Sequence, residues 1–141
     1  MSFKDIAIIL IVSIYTSILL AITLFGRGDL EKRTNVETPS SIKLLIEGNV
    51  SIIFDVLFNV LLFIPAGILL SIRYRVLPSS IVILSSTIGI EMVQAITNKG
   101  RFEVIDLIAN FLGGLIGIGF YHLIVICIKT ILRNKKAKDC V

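Results

Sequence analysis

The sequence has no tryptophan, one histidine, two cysteines and three prolines in 141 residues, and only 17% of it is charged. So little charge excludes an ordinary soluble domain, in which about a quarter of the residues are Asp, Glu, Lys or Arg. Cys127 and Cys140 form no ligand spacing, so neither a metal site nor a disulfide is expected. Cys127 reads as a small apolar filler, and Cys140 falls in a basic tail. No cofactor is expected. The formal charge of +4 does not point to nucleic acid, because the basic residues are spread through the loops and the tail. Arg27-Gly28-Asp29 and Asn49-Val50-Ser51 match an adhesion tripeptide and a glycosylation acceptor, but strings this short recur by chance.

Apolar residues dominate instead. They make up 55% of the chain, and the mean hydropathy is +0.95. The bilayer is therefore the expected solvent, with a single membrane domain over residues 1–141. Four apolar runs cover residues 6–25, 51–72, 76–96 and 104–128, and a basic tail follows over 129–141. Runs of about 20 residues match a hydrocarbon core about 30 Å thick. The first run is uncharged and ends without a small-x-small cleavage site, so it reads as an anchor and not a signal peptide. Spanning segments must satisfy their backbone groups internally. The expected fold is therefore all-α, a polytopic bundle of four transmembrane helices. In the loop over residues 26–50, Pro39-Ser40-Ser41 starts a short interfacial helix through residues 42–46.

With four spans both termini share one side. That side carries eight basic residues, Lys4, Arg73, Arg75, Lys129, Arg133, Lys135, Lys136 and Lys138. The other carries six, Arg27, Lys32, Arg33, Lys43, Lys99 and Arg101. Excess Lys and Arg mark the cytoplasmic side, which places both termini there in a multi-pass protein of the cell membrane.

Seven polar residues, Asp55, Asn59, Glu91, Gln94, Arg101, Asp106 and Asn110, fall in or beside the second, third and fourth runs. An ionisable group in hydrocarbon costs about 2.5 kcal/mol or more, so it stays for a function or an internal partner. In the expected topology all seven lie toward the outer face. Helical phase puts Asp106, Asn110, Gly113 and Gly117 on one stripe. Asp55 and Asn59 share a face, as do Glu91 and Gln94. The polar faces can therefore all point into the bundle. Gly113-x-x-x-Gly117 is a spacing that lets helices approach closely, and Pro65 and Gly67 kink or thin the second helix. Gly89 reads as a packing site. His122, out of phase with Asp106 and toward the inner end, reads as structural, while Tyr74 and Tyr121 fit interfacial anchoring.

The seven residues comprise three carboxylates, three carboxamides and a guanidinium. Paired carboxylates in a partly dry site can divide into a proton donor and a base. Arg101 can fork onto a carboxylate or grip an anionic group such as phosphate. Three carboxylates can also hold a divalent cation, although no ligand spacing requires one. The plainer alternative is a structural ion pair of Arg101 with Glu91 or Asp106, supported by interhelical amide hydrogen bonds.

The segment from Phe58 to Gly67, then Glu91-x-x-Gln94, then Arg101 to Asp106 with Asn110, Gly113 and Gly114, resembles the VanZ-like family of small membrane proteins. Glu103-Val104-Ile105 fits that pattern only loosely. The resemblance implies an integral membrane protein associated with resistance to teicoplanin-type glycopeptides. The expected function is binding of an envelope component or lipid-linked cell-wall precursor in an outward polar pocket. One alternative is an intramembrane enzyme acting on a lipid or glycan headgroup with Glu91 or Asp106 as acid or base, although no serine or cysteine nucleophile has a base in phase. Another is a small proton-coupled transporter, against which stands the want of polar partners toward the inner face. The oligomeric state is open.

Overall fold

A computed structural model describes residues 11, 13–19, 21–22, 41–97 and 103–139. Helix α1 is the short Ser41–Ile46 segment, followed by α2 (Val50–Arg73), α3 (Val76–Ile96) and α4 (Val104–Asp139). The described residues of the first apolar run are also helical, and no strand occurs among the described residues. Helices α2 and α3, together with Val104–Lys135 of α4, are long and apolar enough to cross a membrane. The chain is thus an all-α, multi-pass membrane protein.

Local chemistry sets the helix ends. Gly48 closes α1 with φ of 75°, a left-handed conformation that glycine adopts without penalty. Its N–H donates to Leu45 O at 3.1 Å, and the Asn49 N–H donates to Leu44 O at 2.9 Å, a Schellman arrangement. Asn49 then caps α2, its Oδ1 accepting from Ser51 N at 3.1 Å and Ile52 N at 3.4 Å. The asparagine of the glycosylation-like tripeptide is therefore a helix cap. At the other end of the chain α4 does not stop at residue 128. Its 36 residues make a rod about 54 Å long at 1.5 Å per residue. That exceeds a hydrocarbon core about 30 Å thick, so the helix carries Lys129, Arg133 and Lys135 beyond it.

Glycine fixes how the spans pack. A Cβ at Gly113 would overlap Val60 O, one at Gly117 would overlap Ile64 O, and one at Gly67 would overlap Gly114 O. Both sets of numbers rise together, so α2 and α4 run parallel with their backbones in contact. Such approach brings Cα–H groups onto carbonyl oxygens, a weak attraction that adds to van der Waals packing. Ile83 of α3 lies against Gly114, and Glu91 of α3 reaches Glu103 before α4. These numbers run in opposite directions, so α3 is antiparallel to α4. Gly113, Gly117 and Gly67 all lie where the two backbones approach. Gly89 departs from expectation, since a Cβ there would meet nothing within 4 Å.

Helix α2 continues through Pro65. The ring removes one N–H from the hydrogen-bond ladder. Near that gap the Tyr15 hydroxyl, from the first run, donates to Leu62 O. The carbonyl that loses its donor is Leu61 O, so the tyrosine braces the helix beside the gap and does not fill it. Among the described residues the apolar core comprises Leu19, Phe63, Ile83, Ile90 and Ile118. Outward side chains such as Leu57, Leu61, Ile81, Leu112 and Phe120 are largely exposed, the distribution expected where lipid is the solvent.

Gly117→Ala is expected to destabilise the fold by about 1–3 kcal/mol through overpacking. Gly89→Ala is expected to be neutral or to stabilise by up to about 1 kcal/mol through helix propensity. Thermal unfolding of the two variants in detergent checks the contrast, and equal losses would contradict it.

Candidate functional site

Each helix buries one polar-rich stripe. On α2 it is Asn59, Phe63, Gly67 and Ser71. On α3 it is Ser79, Ile83, Thr87, Ile90, Glu91 and Gln94. On α4 it includes Asp106, Asn110, Gly113, Gly117 and Ile118. Because α2 and α4 are parallel and α3 is antiparallel, Asn59, the C-terminal end of α3 and the N-terminal end of α4 meet at one end of the bundle.

Two hydrogen bonds define this end. Asn59 Nδ2 donates to Asp106 Oδ1 at 2.7 Å, joining α2 to α4 inside the bundle. Glu91, only 1% exposed, accepts from the Glu103 backbone N–H at 3.1 Å through Oε2. The Glu103 carbonyl in turn accepts the first α4 bonds, from Asp106 N at 3.1 Å and Leu107 N at 3.2 Å. Glu91 and Asp106 thus both sit at the N-terminus of α4. The helix macrodipole and the unpaired first-turn N–H groups favour negative charge there. That position explains how two carboxylates are held among apolar helices.

Asn110 is 2% exposed, and its Oδ1 has no hydrogen-bond partner among the described residues. A buried amide oxygen left so costs about 1–3 kcal/mol. Gln94 is buried beside this set on the α3 stripe. Asp55 is not part of the buried set, because its side chain is exposed one turn before Asn59. A 100° step per residue puts Asp55 and Asn59 about 40° apart, and the α2–α4 contact faces the Asn59 side. Arg101 lies outside the described residues. Among the described residues no group of three or more His, Cys, Asp or Glu side chains is placed to hold a metal ion.

Buried polar residues extend further than the sequence suggested. Ser79 and Thr87 are both 0% exposed. Ser79 Oγ and His122 Nε2 are buried without hydrogen-bond partners among the described residues. The His122 ring lies edge-on to Tyr121, with centroids 5.5 Å apart and an interplanar angle of 82°. Buried polar atoms therefore lie also toward the end of the bundle away from Asp106. Their signal was the shared face of residues 79, 87, 91 and 94. Adjacent Ser80, Ser85 and Ser86 obscured it, because a serine-rich stretch has no evident polar side.

The sequence profile of the VanZ/LLP1 family matches residues 8–126. The chain is 32% identical to Protein VanZ of Enterococcus faecium over 72 residues, a stretch that is 49% of this chain and 45% of that protein. The match thus spans less than half the length of the curated relative. No solved structure matches the chain.

The Asn59–Asp106 bond is expected to give a coupling of about 1–2 kcal/mol in a double-mutant cycle of Asn59→Ala and Asp106→Ala. Unfolding in detergent micelles reads it, and additive losses would mean that the bond contributes nothing net.

Proposed function

The chain belongs to the VanZ/LLP1 family, and on that premise we propose that its polar cluster is an outward-facing binding pocket for a lipid-linked component of the cell envelope. The observation that carries this reading is the orphaned Asn110 Oδ1. It is buried beside Asn59, Glu91, Gln94 and Asp106, which come from three helices at one end of the bundle. A purely structural network would be expected to pair its buried members, whereas a binding site leaves an acceptor for its ligand.

The excess of Lys and Arg toward the chain termini favours cytoplasmic termini and hence an outward cluster. Arg101, which falls between α3 and α4 in the sequence, carries a guanidinium suited to the phosphate of a lipid-linked precursor. Asp55, exposed on α2, belongs to the pocket's rim. Carboxylates held at the α4 N-terminus and the Asn110 oxygen accept hydrogen bonds from hydroxyl or amide groups of the same ligand. Occupying or redistributing such a precursor lowers access of a lipophilic teicoplanin-type glycopeptide to its target at the membrane surface.

Glu91→Ala, Arg101→Ala and Asp106→Ala are each expected to abolish protection against teicoplanin while membrane levels of the protein stay unchanged. Susceptibility testing in a strain expressing each variant, with immunoblots of the membrane fraction, checks this. Undiminished protection in well-expressed variants would refute the pocket.

A further inference from the structure

The seam between α3 and α4 contains polar atoms that the outer cluster does not use. Ser71 and Ser80 each return their hydroxyl to the carbonyl four residues earlier, at 2.8 Å and 3.0 Å. Thr87 uses the carbonyl of Leu84, at 2.9 Å. Ser79 makes no such bond, although it is fully buried. His122 Nε2, on α4, is likewise buried without a partner among the described residues.

The helix register brings these two atoms toward one level. Ile83 lies against Gly114, so in an antiparallel pair one turn further places Ser79 level with Ile118. His122 is the next turn of α4. Side chains on a helix tilt toward its N-terminus, which directs His122 back toward the Ser79 level. From α2, Ser71 follows Gly67, whose Cα faces Gly114 and Ile118. In the opposite direction the same register sets Asn110 level with Thr87. Polar groups therefore occupy both ends of the seam. One apolar layer, containing Phe63 and Ile83 at 1% and 2% exposure, divides them.

Two orphaned polar atoms near one level point to a buried water, which typically makes about three hydrogen bonds to groups that would otherwise be unsatisfied. We propose that the α3–α4 seam conducts protons, with water held by Ser79 and His122 at the inner end, the Asn110 cluster at the outer end, and Ile83 on Gly114 as the gate between them. A proton entering from water on one side forms an O–H or N–H bond as the next one along the line breaks. A proton leaves to water on the other side, and nothing is oxidised or reduced. His122 is the inner relay. Among the described residues, the basic groups nearest that end are Arg73 and Arg75, both exposed, and Lys129; the other titratable groups near it are Tyr74, Tyr121 and Cys127. Helix α3 is the element suited to move. It meets α4 through side chains, Ile83 on Gly114 among them, whereas α2 and α4 are locked backbone to backbone. This activity goes beyond the ligand-binding reading and does not depend on it.

The test uses the full chain in liposomes enclosing a pH-sensitive dye, with a potassium gradient and valinomycin driving proton entry. Wild-type protein is expected to acidify the lumen faster than protein-free liposomes. Ser79→Ala and His122→Ala are expected to reduce entry toward the protein-free leak, and Ile83→Ala to raise it. His122→Gln, which keeps hydrogen bonding but cannot carry a proton as imidazole does, separates a relay from a structural role. Wild-type flux equal to the protein-free leak overturns the proposal. So does wild-type flux in His122→Gln protein whose helical content and elution volume are unchanged.

Discussion

The backbone contact between α2 and α4 governs the arrangement of everything else. Gly67, Gly113 and Gly117 have no side chain because carbonyl oxygens of the facing helix occupy that space. In lipid no hydrophobic force drives helices together, so contact area and short-range attraction must do so. Once the two helices are in this register, Asn59 meets Asp106 across the interface. The same contact leaves α3 to pack by its polar stripe.

That division gives the two seams different physical characters. The α2–α4 seam is close-packed and built from small residues, so it has little freedom to change. The α3–α4 seam contains Ser79, Thr87, Glu91 and Gln94, with Ile83 as its contact on Gly114. Hydrogen bonds and water can be exchanged there at far lower cost than backbone contacts. The positive end of α4 anchors one end of this seam by holding Glu91 and Asp106. A fixed helix pair beside a polar, less tightly packed helix suits a protein that binds or conducts.

Much of this fold was legible in the sequence because its signals are local. Uninterrupted apolar runs at residues 51–72 and 76–96 fixed two spans to within a residue or so. The glycine spacing from 113 to 117 marked the contact face of α4. Asn59, Glu91, Gln94, Asp106 and Asn110 stood out as polar residues in apolar surroundings, and all five are buried. Asp55 stood out equally and is exposed, because sharing a broad helix face does not fix which edge of it a neighbour covers. Ser79 did not stand out, since serine is common in membrane helices and its hydroxyl usually bonds to its own backbone. Tyr15 looked like any aromatic in an apolar run, and its bond to Leu62 beside Pro65 depends on a contact between distant segments.

The sequence by itself determined the solvent, the number and order of the spans beyond the first loop, and most of the polar residues that face inward. Each follows from hydropathy and periodicity along one helix. Tertiary structure alone decided the pairings: Asn59 with Asp106, Glu91 with the start of α4, and Ile83 with Gly114. Those depend on the relative register and rotation of separate helices, which are set where a glycine in one meets a carbonyl in another. No local pattern encodes that meeting.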